Sequence, residues 1–205
     1  VSIISLSGAL YATIKAIVQN KVSQRIAYGT MALYSILWWH MGSAGQLTNS
    51  ATLFAASLIL ASFGLLFGWD RIRLRYGDLN LNQLGGLFLQ MPRLALCMAL
   101  LVMAIVGLPP FSLFFGYMDM LLDPQISGPG VIVALFTWFS ASWIFFKLMQ
   151  RLLFGPKTSS LDDDDLNGNE ITVFIVVILA LLALSGISHD WLQDQVTASI
   201  TNIWK

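Results

Sequence analysis

Charge is what this 205-residue sequence most lacks. Asp, Glu, Lys and Arg together make up 11% of it, against about 25% in an ordinary soluble domain. A water-soluble fold of this size needs more polar surface than these side chains supply, so that class is excluded. Lys and Arg together number 11, as do Asp and Glu, which leaves no basic excess to hold nucleic acid. Cysteine is nearly absent: Cys97 is the only one, and it lies inside an apolar run. An internal disulfide is excluded, and a buried structural thiol is expected. P-loop, GxGxxG, paired-cysteine and solenoid-repeat patterns are missing, as is any visible nucleophile–base set. The sequence therefore offers no catalytic site and implies no cofactor or metal of its own. It also lacks the basic n-region and cleavage site of a signal peptide. Val1 already lies within an apolar stretch, and residues preceding it are expected.

What the sequence has instead is apolar length. Hydrophobic residues make up 57% of it, and the mean hydropathy is +0.73. A bilayer-spanning helix needs about 20 mostly apolar residues. Six segments qualify, at roughly 1–19, 26–42, 51–69, 94–122, 129–154 and 171–188. The fold class is an all-α, polytopic transmembrane helix bundle over 1–188. A final segment, 189–205, reads as an interfacial amphipathic helix. The span 94–122 is too long for one straight helix, and it contains Pro109 and Pro110. A proline pair frees backbone groups that hydrocarbon cannot satisfy. A discontinuous helix broken at Leu108–Phe111 follows, serving either as a site for ions and water or as a packing kink.

Basic residues fall on alternate connections. Lys21 and Arg25 sit in the first, Arg71, Arg73, Arg75 and Arg93 in the third, and Lys147, Arg151 and Lys157 around the fifth. The positive-inside rule puts these on the cytoplasmic face. The stretch "LDDDDLNGNE" (161–170) lacks the alternating ligands of a calcium loop and reads as a solvated connection.

Ionisable side chains in lipid usually face a bundle interior or a water path. Lys15 lies four residues before Gln19, so snorkelling to the surface is favoured over a buried relay. Lys147 and Arg151 share a helix face; Lys147 is the deeper and remains ambiguous. His40, beside Trp38 and Trp39, reads as an interfacial histidine rather than a proton carrier. Asp119 either lies at the interface or meets water through the break.

Several stretches, in order, resemble one family. "GALYATIKAIVQNKVSQRIAYGTM" (8–31), "RYGDLNLNQLGGLFLQMP" (75–92), "GLPPFSLFFGYMDML" (107–121) and "SASWIFFKLMQRLLFGP" (140–156) are similar to antiporter-like membrane subunits of respiratory complex I and related membrane-bound hydrogenases. The resemblance covers roughly residues 8–156 and points to the C-terminal part of such a subunit. It implies a subunit of a proton-translocating redox complex with several membrane subunits; the alternatives are a non-conducting structural subunit or part of an inorganic-carbon or cation/proton transport complex. A bacterial inner membrane or an organelle equivalent is the implied location. It also implies that "LPPF" is the family's mid-membrane discontinuity. The family's lysine, histidine and terminal Glu or Lys would fall at Ser23 or Gln24, Ala55 or Ala56, and Tyr117. None of these holds a proton near neutral pH as His or a tuned Lys does. The sequence thus reads as a degenerate member. Its remaining proton-path candidates are Lys15, Lys147 and Asp119, with Tyr117 at the position of the lost acid or lysine.

Overall fold

The computed structural model describes residues 1–77, 85–124, 126, 128–155 and 165–203, with Tyr76 and 187–203 described by backbone alone. Among these the chain is all-helical. Its elements are α1 (Ser2–Val18), α2 (Val22–Ala44), α3 (Asn49–Tyr76), α4 (Leu87–Gln90), α5 (Pro92–Val106), α6 (Ser112–Leu122), α7 (Pro129–Phe154) and α8 (Gly168–Ile203). Helices α3, α7 and the first part of α8, Gly168–Gly186, are long and apolar enough to cross a bilayer alone. α1, α5 and α6 are shorter apolar helices. The predicted 94–122 segment is indeed two helices, interrupted between Val106 and Ser112.

Helix ends show how the sequence sets these boundaries. The last carbonyls of α1, on Ala16 and Ile17, accept from Nε and Nη2 of Arg25, both at 3.1 Å. One guanidinium thus closes α1 and pins it to the start of α2, against which it packs as a hairpin. The Thr48 hydroxyl accepts from the Ala51 N–H at 3.2 Å and starts α3. Pro92 opens α5 and Pro129 opens α7, positions where a missing N–H costs nothing.

α3 is the central post, touching α2, α5, α6 and α8, while α7 closes the opposite side against α1, α2 and α5. Gly64 and Gly68 on α3 allow α5 to approach closely, since a Cβ at either would meet Leu101 or Met98. The buried core runs through these contacts, with Phe54, Leu58, Leu65, Leu94, Leu101 and Phe145 essentially inaccessible. Large apolar side chains also line the outside. On α7, Ile132, Phe136, Phe139, Trp143 and Phe146 are all exposed and recur every three or four residues. A stripe of this kind belongs against lipid or another apolar helix.

At the end bearing the arginines, the connections are tied together by charge. Glu170, in the first turn of α8, accepts from Arg71 at 3.0 Å and lies 3.7 Å from Arg75. The Asp165 carboxylate accepts from the backbone N–H groups of Arg93, at 2.9 Å, and Leu94, at 3.3 Å. It caps α5 from 72 residues away. The solvated-loop reading of 161–170 is therefore corrected at its C-terminal end; 161–164 lie outside the described residues. The predicted interfacial segment, 189–205, is a backbone continuation of α8 as far as Ile203.

Candidate functional site at the interrupted helix

α5 alone spans about 22 Å and α6 about 16 Å, each short of a roughly 30 Å hydrocarbon core. A break of this kind frees backbone groups that need other partners. α5 ends in a glycine turn. Gly107 has φ 75°, and its N–H donates to Ala104 at 3.1 Å, while the Leu108 N–H donates to Met103 at 3.1 Å. That is the Schellman arrangement, and it uses the left-handed backbone that glycine adopts freely. Pro109 and Pro110, joined by a cis bond, then bring no N–H needing a partner.

One further carbonyl is satisfied from α7. The Val106 oxygen accepts from Trp138 Nε1 at 3.1 Å and from the Ser142 hydroxyl at 3.4 Å. The Trp138 indole also packs against Tyr117, with ring centroids 4.4 Å apart and planes tilted by 32°. Tyr117 is wholly buried, and its hydroxyl donates to the Ala134 carbonyl at 2.9 Å. On the α3 side, the Ser57 hydroxyl donates to Leu53 O at 2.7 Å, and Ser57 and Ser112 oxygens are 2.6 Å apart. A serine has one O–H, so Ser112 must be the donor to Ser57. Gly116 presses on Phe54, where an added Cβ would sit 3.0 Å from the backbone nitrogen. The groups meeting at the break are thus neutral and close-packed, and each named hydroxyl or indole N–H has a partner. A cavity of about 230 Å³ opens beside it, lined by Leu108, Pro109, Phe114, Phe139 and Ser142 among others.

The sequence-predicted residues separate into two groups. Tyr117, Pro109 and Pro110 gather at the break. Lys15 and Lys147 do not: both are exposed, Lys15 with its ammonium 5.8 Å from the Tyr11 ring and Lys147 with its ammonium 5.0 Å from that of Trp143. Asp119 is half-buried, and its Oδ2 has no partner among the described residues. One turn on, Asp123 Oδ2 lies 3.2 Å from Nε2 of His40. The His40 side chain is fully buried, so it faces other helices from its place in the last turns of α2. Its partner lies 83 positions away in sequence. Sequence reasoning also missed Ser57, Ser112, Trp138 and Ser142; the only signal was a scatter of hydroxyls in apolar helices.

Residues 1–148 match the family model described as NADH:quinone oxidoreductase/Mrp antiporter, TM. The chain belongs to that family. Among the antiporter family's curated members, it is 31% identical over 196 residues to the F(420)H(2) dehydrogenase subunit M of Methanosarcina mazei. That match takes in 90% of this chain and 38% of the subunit. In fold it is similar to a chain of respiratory complex I from Thermus thermophilus, solved with bound NADH. The TM-score is 0.75 at 24% identity, over 88% of this chain and 39% of that one. It is also similar to a chain of the Mrp complex from Dietzia, with a TM-score of 0.71 at 14% identity, over 93% and 44% of the two chains. The chain spans less than half the length of each of these antiporter-family relatives. It is thus an antiporter-like integral membrane chain, and the interrupted helix lies within the matched region.

Proposed function

We propose that this chain is part of an antiporter-like subunit in a proton-translocating redox complex, and that its own interrupted helix carries no continuous proton path. Family membership supports the first half. Its relatives include a dehydrogenase subunit and chains of respiratory and Mrp complexes, so other membrane subunits are the partners this reading requires. Electron-transfer centres belong to those partners.

The second half rests on one observation. The side chains packed at the break are Ser57, Ser112, Tyr117, Trp138 and Ser142, all neutral and engaged with fixed acceptors. Serine and tyrosine hydroxyls can order a hydrogen-bond chain, but neither stores a proton near neutral pH. The two candidate lysines are on the outer surface rather than beside this cluster. Asp119 is the one sequence candidate with a buried polar atom lacking a partner among the described residues, and the His40–Asp123 pair one turn on is not part of the cluster at the break.

The test uses the assembled complex in proteoliposomes. Lys15→Met and Asp119→Asn are made singly, and proton uptake per electron is measured with assembly and electron transfer checked in parallel. The ratio should fall by less than about twofold, a small change on the scale where 1.4 kcal/mol is tenfold. Collapse of pumping with intact electron transfer would make this chain a working channel.

A further inference from the structure

A second cavity, of about 260 Å³, lies along the part of α7 away from Pro129. It sits where the end of α1, the start of α2 and the last turns of α7 converge. Arg25, Lys147, Arg151, Asn20 and Trp143 are among its lining residues, and none of the described residues lining it is acidic. Three cations therefore face one space. Arg25 is held in place, because its Nε and Nη2 are fixed on the Ala16 and Ile17 carbonyls. That geometry leaves Nη1 as a preset donor. Lys147 rests its ammonium on the Trp143 ring, a placement that orients it without neutralising it.

We propose that this pocket binds the phosphate of an anionic phospholipid headgroup. Phosphate chemistry follows from the donors: a guanidinium edge, an ammonium and an amide suit a compact anion with several acceptor oxygens. The lipid as its source follows from position. Trp143 lines the pocket and also belongs to the exposed apolar stripe Phe136–Phe139–Trp143–Phe146 of α7. An acyl chain lying along that stripe delivers its headgroup to the pocket, as basic pockets between transmembrane helices receive anionic lipids. A free phosphate makes no use of the stripe.

The complex containing this chain is exchanged into nanodiscs of phosphatidylcholine with one-fifth phosphatidylglycerol, and lipid retained on the released chain is counted by native mass spectrometry. Phosphatidylglycerol should be enriched over its bulk fraction. Lys147→Gln should lower its retention about fivefold, and Lys147→Arg should restore it. Arg25 is left alone because it also closes α1. Trp143→Ala should also weaken retention, because it removes both a ring of the apolar stripe and the surface that orients Lys147. Three results would overturn the assignment: phosphatidylcholine retained as strongly as phosphatidylglycerol, retention unaffected by Lys147→Gln, or displacement of the lipid by millimolar inorganic phosphate. The last would make the site one for free anion.

Discussion

The Val106 carbonyl gives the sharpest test of how the interrupted helix is held. It accepts from Trp138 at 3.1 Å and Ser142 at 3.4 Å, so each donor can cover for the other. Hydrogen bonds between membrane helices are worth about 0.6 kcal/mol on average. Trp138→Phe removes one donor and some ring area, and should cost about 1–2 kcal/mol. Ser142→Ala should cost about 0.5 kcal/mol, because its longer bond is the weaker. With both gone, the carbonyl has lost both side-chain donors, at a penalty of about 1–3 kcal/mol for an unsatisfied buried group. The double variant should therefore exceed the sum of the singles by roughly 1 kcal/mol. The lost ring area appears in both arms of the cycle and cancels. Cys97 supplies the readout. It is the only cysteine, it sits on α5, and it packs partly buried against the core. Its alkylation across a denaturant titration, followed by peptide mass, reports the opening of α5. A double variant that merely adds the two singles would refute the shared-acceptor account.

Three further outcomes are expected. Ser57→Ala should destabilise more than Ser112→Ala, by about 1 kcal/mol, because it strands the buried Ser112 hydroxyl, whereas Ser57 keeps its bond to Leu53; the same Cys97 titration measures both. Gly116→Val should cost about 1–3 kcal/mol by overpacking against the Phe54 backbone, seen as a loss of assembled complex on native gels. Asp165→Ala should cost about 1 kcal/mol by uncapping α5, read as faster hydrogen exchange at Arg93 and Leu94, with exchange in α7 unchanged.

The break was legible because proline leaves no choice: a pair of them inside an overlong apolar segment has to end a helix. The exposure of Lys15 agrees with its closeness to the end of α1, whereas Lys147, deeper in its helix, gave no reading either way from the sequence. The serines were not. A hydroxyl in a transmembrane helix bonds back to its own carbonyls whichever way it faces, and only packing reveals that Ser57 meets Ser112 across 55 positions. Asp165 was hidden in a run of identical residues, since four adjacent aspartates give no register. The tryptophans beside His40 gave no hint of its partner, since Asp123 lies 83 positions away and no local pattern announces it.

The remote capping of α5 has a consequence in time. Synthesis proceeds at roughly 5–20 residues per second, and the Asp165 carboxylate follows Arg93 by 72 residues. α5 therefore leaves the ribosome roughly 4–14 s before its start can be capped. The indole that seals its other end arrives sooner, since Trp138 follows Val106 by 32 residues. For that interval the start of α5 lacks its cap, and at its other end, already turned by Gly107, the Val106 carbonyl waits for its indole donor. During biogenesis the interrupted helix is thus a provisional insertion, depending first on the arrival of α7 and then on the connection into α8.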